Sequence, residues 1–412
     1  MGIEAINVYA GTAYLEVDEL AERRGLDPKR VAHLLMREKT VCMPYEDPVT
    51  FAVNAARPLL DAMSPEERER IDLVITCTES GMDFGKSLST YVHPHLGLKG
   101  NCRLIEVKQA CYSGVAGLQM AANYILAGVN PGAKALVIAS DVARFSPLEN
   151  SDKWFFAELV AGSGGVAFVV GDNPKVFELD IGASGYYGFD VMDTCRPFPD
   201  GGGTGDADLS LMSYLDCLDA AFAAYAQRVE DVSFRDSFQH LAFHAPFGGM
   251  VKSAHKRLMR NLCRASPIEI GEDFDRRLAP GLVYVGRIGN ILGGSMLLAL
   301  TSTIDNTALD APRRIGCYSY GSGCCSEFFS GVVTDRSGTE VAAGAIDRHL
   351  ASRHRLDMQQ YETAIAYGNS IAFGVRNATP RRDISPEAAA PRDTPRLHLR
   401  EIADFHRQYS WS

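Results

Sequence analysis

The sequence has no Cys-x-x-Cys pair among its ten cysteines in 412 residues. That removes zinc-ribbon and thioredoxin-type readings and leaves too little cysteine for a disulfide scaffold. It also lacks an excess of basic charge. With 41 Lys and Arg against 51 Asp and Glu the net charge is −10, so general binding to nucleic acid or to an anionic membrane is excluded, and an acidic partner must find a local basic patch. Long apolar runs are missing too. The most apolar stretch, Ile288 to Leu300, is interrupted by Asn290, Ser295 and three glycines and falls short of the ~18 residues that span a bilayer. The opening Met1-Gly2-Ile3-Glu4 has neither the cationic nor the apolar region of a secretory signal, and Ile6 spoils a myristoylation site. Reduced thiols and a cytoplasmic location are expected.

What remains is a globular composition, 46% hydrophobic and 22% charged, in a chain long enough for about two to three domains or one large duplicated one. Continuous apolar runs at Ile71–Cys77, Ala135–Ala139, Val166–Val170 and Leu241–Phe243 suit strands buried on both faces. Helix patterns lie between them, one announced by Ser64-Pro65-Glu66-Glu67 with a cap, a proline at the first turn and early acids. The class is α/β. A weak internal order suggests two similar halves. In the first, a strand leads to Glu79, a small-residue turn at Ala110-Cys111 enters a helix, and Gly162-Ser163-Gly164-Gly165 enters a strand. In the second, a strand leads to His244, a turn at Gly289-Asn290 enters a helix from Ser295, and Gly321-Ser322-Gly323 leads towards Phe328 and Val332. Residues 377 to 397 carry four prolines among charges and read as an extended surface connection. Leu399, Ile402, Phe405 and Tyr409 then fall on one helical face, so a terminal helix docking on the body is expected.

Two glycine-rich stretches fail as phosphate sites. Gly81-Met82-Asp83-Phe84-Gly85-Lys86-Ser87 places three residues between its glycines where a P-loop needs four. Gly201 to Gly205 has no following Lys, and Asp200 and Asp206 would repel a phosphate, so it reads as a surface loop.

Five residues stand where chemistry is done. Cys111 lies at the expected N-terminus of a helix, where the dipole and unpaired N–H groups favour the nucleophilic thiolate, although a cysteine is more often a small core hydrophobe. His244 leaves the C-terminal edge of a strand, where α/β folds bind ligands; a structural hydrogen-bonded histidine is the plainer alternative. Glu79 also follows a buried strand, and a desolvated carboxylate beside a thiol can act as a general base, while most such glutamates are solvated. Asn290 and Ser322 sit in glycine-rich turns that either bring donors to a ligand oxygen or merely close the chain.

Together these segments resemble the 3-hydroxy-3-methylglutaryl-CoA synthase family of the thiolase superfamily. The likeness covers nearly the whole chain: the Gly2-Ile3-Glu4-Ala5-Ile6 opening, the Glu79 loop, Ala110-Cys111-Tyr112-Ser113-Gly114, Ser140-Asp141, His244-Ala245-Pro246-Phe247, Gly289-Asn290, Ser319-Tyr320-Gly321-Ser322-Gly323 and Phe405-His406-Arg407-Gln408-Tyr409. The resemblance implies a thiolase-like fold of two pseudo-equivalent halves, residues 1–172 and 173–412, in five α-β-α-β-α layers. It also implies an acyltransferase, homodimeric, with no metal or tightly bound cofactor and with substrates carried on phosphopantetheine. Cys111 would accept acetyl, and Glu79 would deprotonate its methyl. Backbone N–H groups at Cys111 and Ser322 would hold the enolate oxygen, and His244 with Asn290 would polarise the β-carbonyl of the second thioester.

One departure bears on the substrate. CoA-using members usually carry a Lys two residues after the aromatic of His-x-Pro-aromatic, where this chain has Gly249. The run Gly248-Gly249-Met250-Val251-Lys252 resembles the branch that serves polyketide β-branching, with thioesters on donor and acceptor acyl carrier proteins. Met250 to Arg264 reads as a helix with Val251, Ala254, Leu258 and Leu262 inward and Lys252, Lys256, Arg260 and Arg264 outward. That basic stripe suits an acidic carrier protein, or is an ordinary solvated face. The competing readings are a primary-metabolism synthase using acetyl-CoA and acetoacetyl-CoA, and a non-catalytic carrier-protein-binding scaffold.

Overall fold

The structure is a computed structural model and describes residues 1–143, 152–195, 204–392 and 394–412. Nine strands form one mixed sheet: β1 Gly2–Tyr9, β2 Ile71–Cys77, β3 Arg103–Val107, β4 Lys134–Asp141, β5 Gly164–Gly171, β6 Phe177–Gly188, β7 His240–Phe243, β8 Arg313–Gly321 and β9 Cys325–Val333, in the order β7-β8-β9-β6-β1-β5-β4-β2-β3. The four apolar runs expected to be strands, Ile71–Cys77, Ala135–Ala139, Val166–Val170 and Leu241–Phe243, each lie in one of these strands. The sheet is two blocks meeting at β1 and β6, which share only the pairs Gly2↔Glu178 and Ile3↔Phe177. Outward from that seam the pairing repeats: β1-β5-β4-β2 and β6-β9-β8-β7 each run antiparallel, antiparallel, parallel.

Strand faces assign the layers. In β4, Leu136 and Ile138 join Ala167 and Val169 of β5 against Phe51 and Ala55 of helix α1 (Pro48–Ala62), beside which lies α2 (Leu88–Leu96). Ala135, Val137 and Ala139 alternate to the other face, with Val115, Leu118 and Ala121 of α3 (Ser113–Leu126). A period of two is what a strand buried on both sides requires. Helix α3 lies so close that a Cβ at Gly117 would come within 2.6 Å of Cys77 Sγ. The central layer is completed by α7 (Ser295–Asp305), which packs on α3 and β7, while α4 (Ala207–Ala226) covers β6 and β9. The five layers of a thiolase-like fold result. Beside α4 lie α5 (Gly248–Cys263) and then α6 (Pro267–Arg277). No described helix is long and apolar enough to cross a membrane.

Three expectations need correction. The C-terminus is a hairpin, β10 Leu397–Ala403 with β11 His406–Trp411, not a helix; Asp404 and Phe405 take positive φ at its turn, and Phe405 is 61% exposed. It does dock, since Tyr409 Oη donates to Asp47 Oδ2 at 2.8 Å. Leu262 points outward, 53% exposed, because α5 ends one residue later. The proline-rich connection is anchored, with Ile384, Ser385 and Ala388 buried. Of the glycine run, Gly201–Gly203 lie outside the described residues and Thr204-Gly205 pairs with Thr194-Cys195. The Gly81 loop is occupied by its own chain: Asp83 Oδ1 accepts from Gly85 and Lys86 N–H.

Candidate active site

β2 ends at Cys77, and its continuation Thr78-Glu79-Ser80 is held by one carboxylate. Asp141, fully buried at the end of β4, accepts at Oδ1 from Thr78 Oγ1 (2.9 Å), Glu79 N–H (2.9 Å) and Ser80 N–H (3.0 Å), and at Oδ2 from Gly293 N–H (3.0 Å). Burial first, and then the Glu79 charge, raise its pKa to about 7. Asp141 thus ties the Glu79 loop to the turn that precedes α7. The sequence offered one signal for it, an acid two residues beyond the apolar run Ala135–Ala139.

Cys111 follows Ala110, whose φ of +44° is rare outside glycine, and precedes Tyr112, which caps α3. The half-buried thiol donates to Glu79 Oε1 at 3.3 Å. Thiol and carboxylate, 32 residues apart in the chain, therefore meet. The turn is clamped from the opposite block. A Cβ at Gly321, the end of β8, would lie 2.6 Å from Gln109 O and 2.8 Å from Tyr112 N, so only glycine lets the two segments touch. Farther along the β8–β9 hairpin, buried Glu327 accepts from Tyr112 Oη (2.7 Å) and Gln119 Nε2 (2.8 Å). Burial raises its pKa. Neither Glu327 nor this clamp was legible in the sequence.

Ser322 is half-buried in the turn that follows Gly321. Buried Asp193 fixes that turn, accepting from Gly323 N–H (2.9 Å) and Tyr320 Oη (2.6 Å). Asn290 spends its Oδ1 on its own turn, accepting from Leu292 N–H (3.0 Å) and Ser295 Oγ (2.6 Å). What it presents to a ligand is the donor Nδ2. Its turn abuts the Cys111 helix, since a Cβ at Gly114 would overlap the Gly293 carbonyl oxygen.

His244 stands one residue beyond β7. Its N–H donates to Tyr318 O (2.7 Å) and its carbonyl accepts from Tyr214 Oη (2.7 Å). β7 runs parallel to β8 with Phe243 beside Tyr318, so His244 leaves the sheet next to the strand whose end lies on the Cys111 turn. Burial pushes its pKa down to about 3, which makes the imidazole neutral at physiological pH and leaves Nδ1 without a partner among the described residues. The structure thus gathers Glu79, Cys111, Asn290 and Ser322 at adjoining turns, with His244 at the edge they share.

α5 starts four residues after His244. Lys252, Lys256 and Arg260 are exposed on it, Lys252 Nζ lying 5.2 Å from the Phe274 ring centre. Arg264 is exposed just past its end. Beneath, His255 Nε2 meets Asp273 Oδ2 at 2.6 Å, with Arg277 on the same carboxylate, which fixes α5 to α6. Gly249 is closed off, since a Cβ there would overlap the His33 carbonyl oxygen.

Among the described residues no group of three or more His, Cys, Asp or Glu side chains is arranged to hold a metal ion.

Comparison with known proteins agrees with this layout. Residues 1–175 match the hydroxymethylglutaryl-coenzyme A synthase N-terminal family and residues 260–409 its C-terminal counterpart. The chain is 54% identical over 415 residues to the polyketide biosynthesis 3-hydroxy-3-methylglutaryl-ACP synthase PksG of Bacillus subtilis, covering 100% of this chain and 99% of that protein. It is 32% identical to the hydroxymethylglutaryl-CoA synthase of Enterococcus faecalis, covering 89% and 91%. The curacin biosynthetic pathway HMG synthase, solved with acetyl donor-ACP, superposes with a TM-score of 0.96 at 53% identity, covering 100% of this chain and 99% of that one.

Proposed function

Since this chain belongs to the hydroxymethylglutaryl-coenzyme A synthase family, we propose that it adds acetate, through acetyl-Cys111, to the β-keto group of a polyketide intermediate held on an acyl carrier protein. The observation that carries the chemistry is the 3.3 Å contact between the Cys111 thiol and the Glu79 carboxylate at the start of a helix. Cys111 Sγ attacks the acetyl thioester of a donor carrier protein and the phosphopantetheine thiol leaves. Glu79 takes a proton from the acetyl methyl, and the enolate oxygen is held by N–H groups at Cys111 and Ser322. The enolate carbon adds to the β-carbonyl while neutral His244 donates a hydrogen bond to its oxygen, supported by Asn290 Nδ2, and the new alkoxide takes up a proton. Water then cleaves the Cys111 thioester and frees a 3-hydroxy-3-carboxymethyl acyl chain on the acceptor.

Carrier proteins rather than CoA are the preferred acyl donors in this reading. Two features support it: the relatives at 53–54% identity work with ACP by name, and the Gly249 position, backed by the His33 carbonyl, has no room for the Lys that CoA-using members carry. Lys252, Lys256 and Arg260 form the carrier-docking face. The enzyme acts in the cytoplasm as a homodimer of chains divided near residue 172. Edge strand β3, with Ile105 exposed on it and Met120 exposed on α3, which packs against it, offers open backbone and apolar surface for a second copy. No resident cofactor is needed, because the phosphopantetheine arm arrives with the substrate.

Intact-protein mass spectrometry after brief incubation with acetyl carrier protein or acetyl-CoA tests this. Loading from the carrier protein that disappears in Cys111→Ala supports the reading. Equal or better loading from acetyl-CoA favours a primary-metabolism synthase, and loading from neither favours a scaffold.

A further inference from the structure

Arg382, Arg392, Arg396 and His398 line a half-open cavity together with Tyr9 and Tyr45, and none of its wall belongs to the Glu79–Cys111 centre. Three half-buried guanidiniums, Arg382, Arg392 and Arg396, line it. Arg382 Nη2 donates to Ala389 O at 2.9 Å and stacks 5.2 Å from the Tyr45 ring centre. Arg396 stacks 5.5 Å from the Tyr9 ring centre, its Nη2 3.4 Å from His349 Nδ1. Arg392 Nε is buried with no acceptor among the described residues. His398, on the same wall, turns Nε2 to Ser410 Oγ (2.9 Å) and leaves Nδ1 buried without a partner. Among the described side chains of the wall the acid is Glu46, whose oxygens already accept from Tyr9 Oη (3.3 Å) and Met43 N–H (3.1 Å), and Ser412, whose backbone pairs with that of Arg396, also lines it.

We infer that this cavity binds a small tetrahedral oxyanion of the phosphate class, inorganic phosphate or a phosphate monoester, held by Arg382, Arg392, Arg396 and His398. Three guanidiniums against the Glu46 carboxylate leave an excess of positive charge on this wall, which an anion neutralises. A buried donor without an acceptor is costly and uncommon in folded proteins; Arg392 Nε is one, and His398 Nδ1 is a second in the tautomer whose Nε2 accepts from Ser410 Oγ. A phosphate supplies acceptors in several directions at once and matches the planar fork of arginine. Its binding staples the proline-rich connection and the hairpin that follows to β1.

The test is calorimetry and thermal melting of the full chain with inorganic phosphate, with glycerol phosphate and with chloride at matched ionic strength. Saturable binding and a raised Tm with either phosphate, and neither with chloride, are expected. Arg392→Gln with Arg396→Gln weakens binding by at least about tenfold, while acetyl loading of Cys111 is unchanged. Should the double variant misfold, the single Arg392→Lys, with circular dichroism to verify its fold, carries the comparison through the same loss of affinity. The same Tm rise with chloride, no saturable phosphate binding, or undiminished affinity in a folded variant overturns the inference. Tighter binding of glycerol phosphate assigns a monoester as the occupant, and tighter or equal binding of inorganic phosphate assigns the free ion.

Discussion

Replacing Glu79 with alanine should divide the reaction in two. During loading the carboxylate contributes one hydrogen bond to the thiol, Sγ to Oε1 at 3.3 Å. Such a bond is worth about 1 kcal/mol, or roughly fivefold in rate, and the start of α3 still faces Cys111 without it. During condensation the same carboxylate removes the methyl proton, and loss of a general base costs about 10²–10⁴-fold. The loop itself survives, because Asp141 grips the backbone N–H groups of Glu79 and Ser80 at 2.9 and 3.0 Å rather than the Glu79 side chain. Glu79→Ala should therefore load acetyl within about tenfold of the wild-type rate while condensation falls by at least about a hundredfold. Intact-protein mass measures the first step, and the mass of the acceptor carrier protein measures the second. Equal loss of both steps refutes the assignment of Glu79 as the base.

Glu327→Ala strands Tyr112 Oη and Gln119 Nε2 in a buried site; it should cost about 2–5 kcal/mol in denaturant melts and slow Cys111 loading, and Glu327→Gln should restore most of both. Gly249→Ala drives a Cβ into the His33 carbonyl oxygen and should lower stability by about 1–3 kcal/mol without improving loading from acetyl-CoA. Lys256→Glu with Arg260→Glu should weaken turnover with carrier protein and leave loading from acetyl-pantetheine intact; unchanged carrier turnover removes the docking face. His244 is held at about 3 in the fold against about 6.5 when unfolded. Its neutral form is favoured in the native state, so the stability it adds is full above pH 6.5 and is lost as pH falls towards 3. At pH 5 the cost is about 2 kcal/mol, and His244→Gln should flatten the acid limb of Tm against pH by that amount.

The sequence by itself determined the elements whose information is local. Ile71–Cys77 and Ala135–Ala139 are apolar at every position but Asp72 and Thr76, so they become strands with two buried faces. The residues that follow such strands, Glu79 and His244, can hardly avoid the sheet's functional edge. The Ser64-Pro65-Glu66-Glu67 signal starts its helix with the expected cap and proline, and the cap closes as a reciprocal capping box with Glu67, both hydrogen bonds lying within three residues. Leu399, Ile402, Phe405 and Tyr409 misled for the complementary reason. Their spacing fits a helix, yet docking against Asp47 and Ala378 selects two short strands, and tertiary contacts override a short periodicity.

What only the tertiary structure decided is everything joined across long stretches of chain. Asp141 reaches Glu79 and Gly293, 62 and 152 residues away. Glu327 reaches Tyr112 across 215, and Arg382, Arg392 and Arg396 come together over β1. A carboxylate or a guanidinium looks the same in a sequence whether solvated or buried. Its meaning comes from the partners that folding sets against it once water is gone, and no local pattern records which segments those are.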